Sequence, residues 1–212
     1  VSFQILSSLL YCGHSGLFLS HQQPMNLISR SLPEGHIIKT MILEHGFILA
    51  MLDELEDLAQ KIINAEPAIG EKCLAQINTL SVNIIAADPH NQREEDILFT
   101  SLEEKGITGP PMLLRLEHET MRQMKYKLAE MTSAPVQDWI NTANKVTSLI
   151  YGMCTTFRQH MHKENNVLYS IALEIITDAS QWTDMKKMCD RIGYCSFFPE
   201  PGWETTHHSV SI

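Results

Sequence analysis

The chain has 212 residues, 44% of them hydrophobic, which predicts a folded globular protein rather than a disordered one. Its 16 basic and 25 acidic residues give a formal net charge of -9, which argues against nucleic acid or anionic membranes as partners. The sequence has no apolar run long enough for a membrane span, and its five cysteines include no CxxC pair, so we expect a reduced, cytoplasmic protein.

Four segments with helical hydrophobic periodicity follow one another along the chain, and we identify no strand among them. The first begins at residues 31–34, where Ser-Leu-Pro-Glu has the spacing of a capping box. The second runs from about 71 to 105 and contains Pro89, which either kinks the helix or starts a fresh one. The third begins after residues 109–111, with proline in its first turn, and the fourth runs from about 137 to 177.

Mostly short connections between these helices predict an all-α fold, an antiparallel up-and-down four-helix bundle. We expect the bundle to span residues 31–178, between an N-terminal extension (1–30) and a C-terminal tail (179–212). The tail contains one predicted short helix over Trp182–Arg191. If the protein has a protein partner, we expect these two ends of the chain to contact it.

Each predicted helix carries one histidine within its apolar stripe, and the second and fourth helices add a glutamate four residues later. Because residues i and i+4 share a helix face, all of these side chains should point into the core. Burying so many polar groups without a compensating charge is unfavourable, and a bound metal removes the difficulty. The predicted metal ligands are His45, His90, Glu94, His118, His160 and Glu164.

The ligand types indicate which metal would bind. Imidazole and carboxylate groups without thiolate suit iron or manganese, and zinc less well. Two glutamates among four histidines suggest two ions with the carboxylates as bridges. We therefore expect two iron ions, with manganese or zinc as alternatives.

The helix register supports part of this site. A turn between the first two helices sets His45 level with His90, and the next turn brings His118 within one helical turn of the second-helix glutamate. The third pairing fits less well, because His118 and His160 are level only for a turn near residue 139, whereas Pro135 suggests a turn near 134. A longer loop or a shifted fourth helix is needed to bring these two histidines together.

Several segments resemble the hemerythrin-like HHE cation-binding family over roughly residues 33–177. The two His-x-x-x-Glu strings, each followed by an apolar and aromatic run, are the most specific. The opening residues 33–36 and the closing residues 190–195 resemble a prokaryotic branch of this family. The segments that carry the resemblance are Glu44-His45, 90–99, 106–111, Glu117-His118-Glu119 and 160–169.

The resemblance implies a non-haem di-iron centre, oxo- or hydroxo-bridged when oxidised, with its ligands at the six positions named above. Oxygen-carrying hemerythrins have a second histidine one turn after the helix-three histidine, and here that position is Arg122. With one fewer imidazole, the two irons keep more open coordination positions than those of an oxygen carrier. This disfavours reversible oxygen storage. His36 would supply a further ligand only if the first helix began differently, because it lies nine residues before His45.

The residues that flank the predicted ligands have less decisive patterns. Glu95 and Asp96 should lie on the solvated face of their helix, because they fall outside the apolar stripe. Glu44, Glu117 and Glu119 are either acceptors for imidazole N–H groups or surface residues.

Other residues near the stripes are expected to be structural. Cys154 should be a buried thiol, with a redox thiol beside the iron as the alternative. Tyr151 and Tyr169 should pack, with hydrogen bonding to a ligand of the iron as the alternative. His162 should lie on the surface.

The leading hypothesis is a non-haem di-iron protein that binds or senses oxygen, nitric oxide or iron. A second hypothesis is a di-iron redox enzyme that reduces peroxide or nitric oxide, or repairs iron–sulfur clusters. A third is an interaction module in which the metal only stabilises the bundle. The sequence does not decide among them, because it contains no recognisable substrate pocket or reductase docking patch.

Overall fold

The protein is represented by a computed structural model that describes residues 29–63 and 65–197. This part of the chain consists of α-helices and two π-helical turns and has no strand, so the all-α prediction is confirmed. Within the same residues, no helix is long and apolar enough to cross a membrane. Nearly all of the predicted N-terminal extension, and the tail beyond residue 197, lie outside the described residues.

The first long helix, α1, spans Ile37–Ile63 and so begins later than the capping-box spacing at residues 31–34 predicts. A turn precedes it, in which the His36 amide donates to the Pro33 carbonyl at 3.2 Å. Gly35 has a φ of 75°, a backbone conformation that glycine adopts readily because it lacks a Cβ. This turn takes the place of the predicted helix start.

The predicted second helix is divided into several pieces. Helix α2 spans Pro67–Ile85, α3 spans Asp88–Arg93, a π-helical turn spans Glu94–Phe99, and α4 spans Thr100–Glu104. Pro89 lies in the first turn of α3, where a missing N–H is tolerated. Of the two outcomes predicted for Pro89, a fresh helix is the one observed.

Helix α5 spans Gly109–Ser133 and has the predicted proline-rich start. The turn before it is a Schellman motif, in which Gly106 has a φ of 87° and the Ile107 amide donates to the Leu102 carbonyl at 2.9 Å. This motif ends α4 and reverses the chain into α5.

The remaining helices follow the predicted pattern closely. Helix α6 spans Trp139–Lys163, a π-helical turn spans Glu164–Leu168, and α7 spans Tyr169–Ile175. At the start of α6, the side chain of Asp138 accepts a hydrogen bond from the Asn141 amide. The C-terminal helix, α8, spans Ala179–Ile192 and is slightly longer at each end than predicted.

The long helices close into a ring, because α1 and α5 each pack against both α2 and α6. Two apolar clusters fill the ring, and the predicted ligands lie between them. One cluster includes Leu52, Ile77, Leu128 and Ile150, and the other includes Ile38, Leu98, Leu114 and Leu168. The fold thus places one polar layer between two apolar ones, where water is largely excluded.

Candidate metal centre

The structure brings all six predicted ligands into the polar layer of the bundle. Their side chains are buried, with at most 2% of each residue exposed. They form two groups in which the candidate ligand atoms all lie within 4.8 Å of one another, and Glu164 belongs to both. The first group consists of His45, His90, Glu94 and Glu164. The second consists of His118, His160 and Glu164.

In the first group, two imidazoles point at the same position. The Nε2 atoms of His45 and His90 are 3.0 Å apart. Glu164 Oε2 lies 3.2 Å from His45 Nε2, and Glu94 Oε2 lies 3.4 Å from His90 Nε2. An ion about 2.1 Å from both Nε2 atoms would see them at an angle of about 90°. Neighbouring ligands in octahedral coordination form an angle of this size.

In the second group, His118 and His160 share one oxygen of Glu164. Glu164 Oε1 lies 2.7 Å from His160 Nε2 and 3.3 Å from His118 Nε2. The centroids of the two histidine rings are 4.5 Å apart. Glu164 therefore presents one oxygen to each pair of histidines, which is the arrangement of a carboxylate that bridges two ions.

Glu94 occupies the other position between the two histidine pairs. Its Oε2 lies 3.4 Å from His90 Nε2 and 3.5 Å from His118 Nε2. Its Oε1 accepts a hydrogen bond of 2.6 Å from the hydroxyl of Tyr169, which is fully buried. Of the two readings of Tyr169, the structure favours a polar role, because its hydroxyl orients a predicted ligand.

The hydrogen bonding of the buried atoms tests whether these residues fit a metal. Among the described residues, four buried side-chain atoms have polar neighbours at most, without a well-directed hydrogen bond. One is Nη1 of Arg93, and the other three belong to predicted ligands: Glu94 Oε2, Glu164 Oε2 and His160 Nε2. Buried polar atoms nearly always have a partner, and a carboxylate oxygen without one is especially unfavourable. The three atoms of the predicted ligands lie within 3.5 Å of a nitrogen or oxygen of another predicted ligand, so the residues present fit a pair of cations.

Each of the four histidines among the predicted ligands contacts an acceptor in the surrounding layer through its Nδ1 atom. Its Nε2 atom is therefore directed at the centre of the polar layer. Such contacts fix the tautomer with the proton on Nδ1 and the lone pair on Nε2, the form that binds metal. The Nδ1 contacts are His45 to Asn165 at 3.0 Å, His90 to Glu44 at 2.8 Å, His118 to Glu95 at 2.7 Å and His160 to Glu117 at 2.9 Å.

Each of the three outer carboxylates has a basic partner of its own, so the outer layer is locally neutral. The pairs are Glu44 with Arg93 at 2.6 Å, Glu95 with Arg122 at 2.5 Å, and Glu117 with Lys163. The positive charge of bound ions would therefore be offset chiefly by Glu94 and Glu164.

One residue of this outer layer does not lie where the sequence pattern predicts, and another was not predicted to belong to it. The prediction that Glu95 faces solvent is wrong, because its side chain is 22% exposed and contacts His118. Asn165 was not singled out, although it follows a predicted ligand directly. For Glu44 and Glu117 the acceptor interpretation is the one observed, whereas Glu119 is exposed.

Against the effect of burial, neighbouring carboxylates raise the pKa of three imidazoles, those of His90, His118 and His160. Burial alone lowers the pKa of His90, but the charge of Glu94 and a hydrogen bond to Glu44 outweigh it and raise that pKa to about 10. The pKa of His118 rises to about 9 against its burial, with Glu164 as the main partner. The carboxylates thus favour positive charge at the imidazole positions, which is the charge that a bound cation supplies.

Other candidates from the sequence lie outside both ligand groups. His36 packs against Trp182, with ring centroids 4.6 Å apart. Cys154 is fully buried in an apolar cluster, where burial raises the pKa of its thiol to about 12, so it has the properties of a structural thiol. Tyr151 is 38% exposed and His162 is also exposed.

A small cavity adjoins the predicted metal ligands. It has a volume of about 20 Å³, enough for one water-sized molecule. Part of its lining comes from apolar residues such as Ile84, Met121 and Phe157. Much of the rest comes from four predicted ligands: His45, His90, His160 and Glu164. Lys125, which is paired with Asp88, also contributes.

Comparisons with known proteins agree with this geometry. A family model described as the hemerythrin HHE cation binding domain matches residues 36–172, which include all six predicted ligands. One similar curated protein is the iron-sulfur cluster repair protein YtfE of Yersinia pseudotuberculosis serotype IB (strain PB1/+), which is 24% identical over 159 residues. The alignment covers 72% of this chain and 67% of that protein. The family match spans well over half of the chain, which therefore belongs to the hemerythrin HHE cation-binding family.

Proposed function

We propose that this chain holds two iron ions in its polar layer and uses them to bind or sense oxygen, nitric oxide or iron itself. One observation carries the proposal: Glu164 directs its two carboxylate oxygens at different histidine pairs. A buried carboxylate in this position has a clear role as a bridge between two cations and no evident role otherwise.

Each ion would be held by one pair of histidines together with the two glutamates. His45, His90, Glu94 and Glu164 would bind one ion, and His118 and His160 would bind the other together with the two carboxylates. When bound, a pair of iron ions supplies redox chemistry and open coordination positions for a small ligand. Manganese and zinc are the alternatives, because the same donor set accepts them.

The surrounding residues of the chain support the binding of a small ligand. The cavity beside the ligands has room for one small molecule, and its apolar residues would limit the entry of bulk water. The outer contacts at Nδ1 would keep the imidazoles in place when a ligand enters. At the position of a further carrier histidine, Arg122 binds Glu95 instead, so we propose sensing or reaction rather than oxygen storage.

The test is the metal content of the purified full chain, followed by optical spectra of the anaerobically reduced protein before and after addition of oxygen or nitric oxide. We expect about two irons per chain and a spectrum that changes with the gas. The Glu164→Gln variant should lose both properties, because it removes the proposed bridging charge. Glu174→Gln, an exposed change on the following helix, is the matched control. Two irons without any response to either gas would contradict the gas-binding proposal.

A second candidate function is the repair of damaged iron–sulfur clusters by delivery of iron. The observation that favours it is the similarity to an iron-sulfur cluster repair protein over most of this chain. Transfer of ferrous ions to a cluster that lacks iron would return this protein to its metal-depleted form without a redox step. Recovery of activity in a damaged iron–sulfur enzyme, in proportion to the iron supplied by this protein, would favour repair. Gas binding without any transfer of iron would favour sensing.

A further inference from the structure

A short segment after α8 folds back onto the outer layer of the metal centre. It comprises residues 193–197 and lies beyond the residues matched by the family model. Gly193 ends α8 with a φ of 93°, a backbone conformation that glycine adopts readily because it lacks a Cβ. Cys195 is only 2% exposed, and the ring of Phe197 lies 6.1 Å from that of Phe47 on α1. The segment is therefore docked on the bundle.

The docked segment contacts the charged pair behind one predicted ligand. The Cys195 amide donates to Oε1 of Glu44 at 3.4 Å, and the Cys195 thiol lies 3.9 Å from the Ala87 carbonyl. The ring of Tyr194 lies 4.6 Å from the guanidinium carbon of Arg93. Both Glu44 and Arg93 are fully buried.

That charged pair holds the imidazole of His90. Arg93 Nη2 donates to both oxygens of Glu44, at 2.6 and 2.7 Å, and Glu44 Oε2 lies 2.8 Å from His90 Nδ1. Contacts therefore run from Tyr194 and Cys195, through Arg93 and Glu44, to the outer nitrogen of His90. The Nδ1 atoms of His118 and His160 contact carboxylates of other charged pairs. These are Glu95 on the π-helical turn and Glu117 on α5.

We infer that residues 193–197 are a positioning element for one of the two metal positions, the one formed by His45, His90, Glu94 and Glu164. This inference rests on the proposed function, since it assumes that two ions bind. The physical reason is that the Arg93–Glu44 pair is fully buried, and Tyr194 and Cys195 are among the groups that keep water away from it. Glu44, which contacts the imidazole directly, is the kind of partner whose loss typically changes metal affinity by about 10- to 100-fold, and residues 193–197 act through it.

Metal release from the full chain tests the inference without any measure of activity. The wild-type chain is loaded with Co²⁺ and challenged with a chelator, and the two ions should leave in separable phases. Tyr194→Leu should accelerate one phase several-fold and leave the other unchanged. Lys163→Met, which removes the basic partner of Glu117, should accelerate the other phase. Tyr151→Leu, an exposed tyrosine on α6, is the control and should change neither.

The thiol of Cys195 gives a second readout that uses only the wild-type chain. Coupling between two sites is reciprocal, so bound metal should keep the segment docked. Alkylation of Cys195, located by mass spectrometry, should be several-fold slower in the Co²⁺-loaded protein than in the metal-depleted protein. Cys73, buried at the far end of the bundle in α2, is the internal control.

The outcomes separate this inference from the proposed function. A wild-type chain that binds fewer than two ions contradicts the proposed function and the inference together. Two bound ions with release kinetics unaffected by Tyr194→Leu contradict the inference alone. Equal acceleration of both phases by that variant, or alkylation of Cys195 that is independent of metal, also overturns it.

Discussion

Oε2 of Glu44 lies 2.8 Å from Nδ1 of His90, and both side chains are buried. The same carboxylate binds Arg93, so its charge is already balanced within the protein. The role of Glu44 is therefore to orient the imidazole rather than to offset the charge of a metal. Glu95 and Glu117 have the same relationship to their own histidines and basic partners, so the centre has one layer of orienting groups around one layer of binding groups.

Substitution of Glu44 tests this division of roles. We expect Glu44→Gln to weaken metal binding by about 10- to 100-fold, because the imidazole of His90 loses its charged acceptor. Equilibrium competition with a metal chelator measures the change, and Glu119→Gln, an exposed change on α5, is the control. The variant also leaves Arg93 buried without its partner, so its stability should fall.

The loss of stability has its own control. The double variant Glu44→Gln/Arg93→Met removes both charges and should recover part of the stability but none of the metal affinity. Metal affinity equal to that of the wild type in Glu44→Gln would refute the orienting role.

The burial and convergence of the six predicted ligands could be predicted from the sequence, whereas part of the outer layer could not. The spacing from His90 to Glu94 is enough to place both on one face of a helix. The solvated position predicted for Glu95 assumed a regular α-helix beyond that point. A π-helical turn begins at Glu94 instead, and its wider turn changes the directions in which the following side chains point. A second such turn begins at Glu164, and nothing in the residue pattern marks either one.

The mismatch between His118 and His160 also has a structural explanation. Helix α5 ends at Ser133 and α6 begins at Trp139, so residue counting leaves the two histidines offset by about 9 Å along the helix axes. Cα–Cβ bonds tilt toward the N-terminus of their helix. In this antiparallel pair the two tilts point toward each other, so the rings meet although their backbones are not level. Counting loop residues treats side chains as perpendicular to the axis and misses this effect.

Removal of the Tyr169 hydroxyl should destabilise the protein. The hydroxyl donates a 2.6 Å hydrogen bond to Glu94 from a fully buried position. Hydrogen bonds to charged groups contribute about 1.5–3 kcal/mol, so Tyr169→Phe should lower the free energy of unfolding by about that amount. Urea unfolding measures it, with Tyr151→Phe on the exposed face of α6 as the control. Equal stability of the two variants would mean that the hydroxyl contributes nothing to holding Glu94.

Two glycines provide a matched test of helix packing away from the predicted metal ligands. A Cβ at Gly70 on α2 would overlap the indole ring of Trp139, which is held by a 3.1 Å hydrogen bond from its Nε1 to the Ala65 carbonyl. A Cβ at Gly152 on α6 would have open space around it. We expect Gly70→Ala to destabilise the protein by about 1–3 kcal/mol.

The second glycine should respond in the opposite direction. Gly152→Ala should stabilise the protein by about 0.5–1 kcal/mol, because alanine has the higher helix propensity. Chemical denaturation of the metal-depleted chains measures both changes, and metal content should be normal in each. A neutral result for Gly70→Ala would show that the Trp139 ring can move aside at little cost.

Metal removal should lower the melting temperature, because ions that bind only the folded chain stabilise it by mass action. Free metal at 100 times its dissociation constant adds about 2.7 kcal/mol for each site, and a chelator should abolish that increment. His118→Ala should keep part of the increment, since His45, His90, Glu94 and Glu164 remain as one ligand group. Thermal melts with and without chelator measure this, and identical melts would argue that the six buried groups bind no metal. A full increment without any spectral response to oxygen or nitric oxide would instead favour a structural metal, because the ions would then stabilise the polar layer without supplying chemistry.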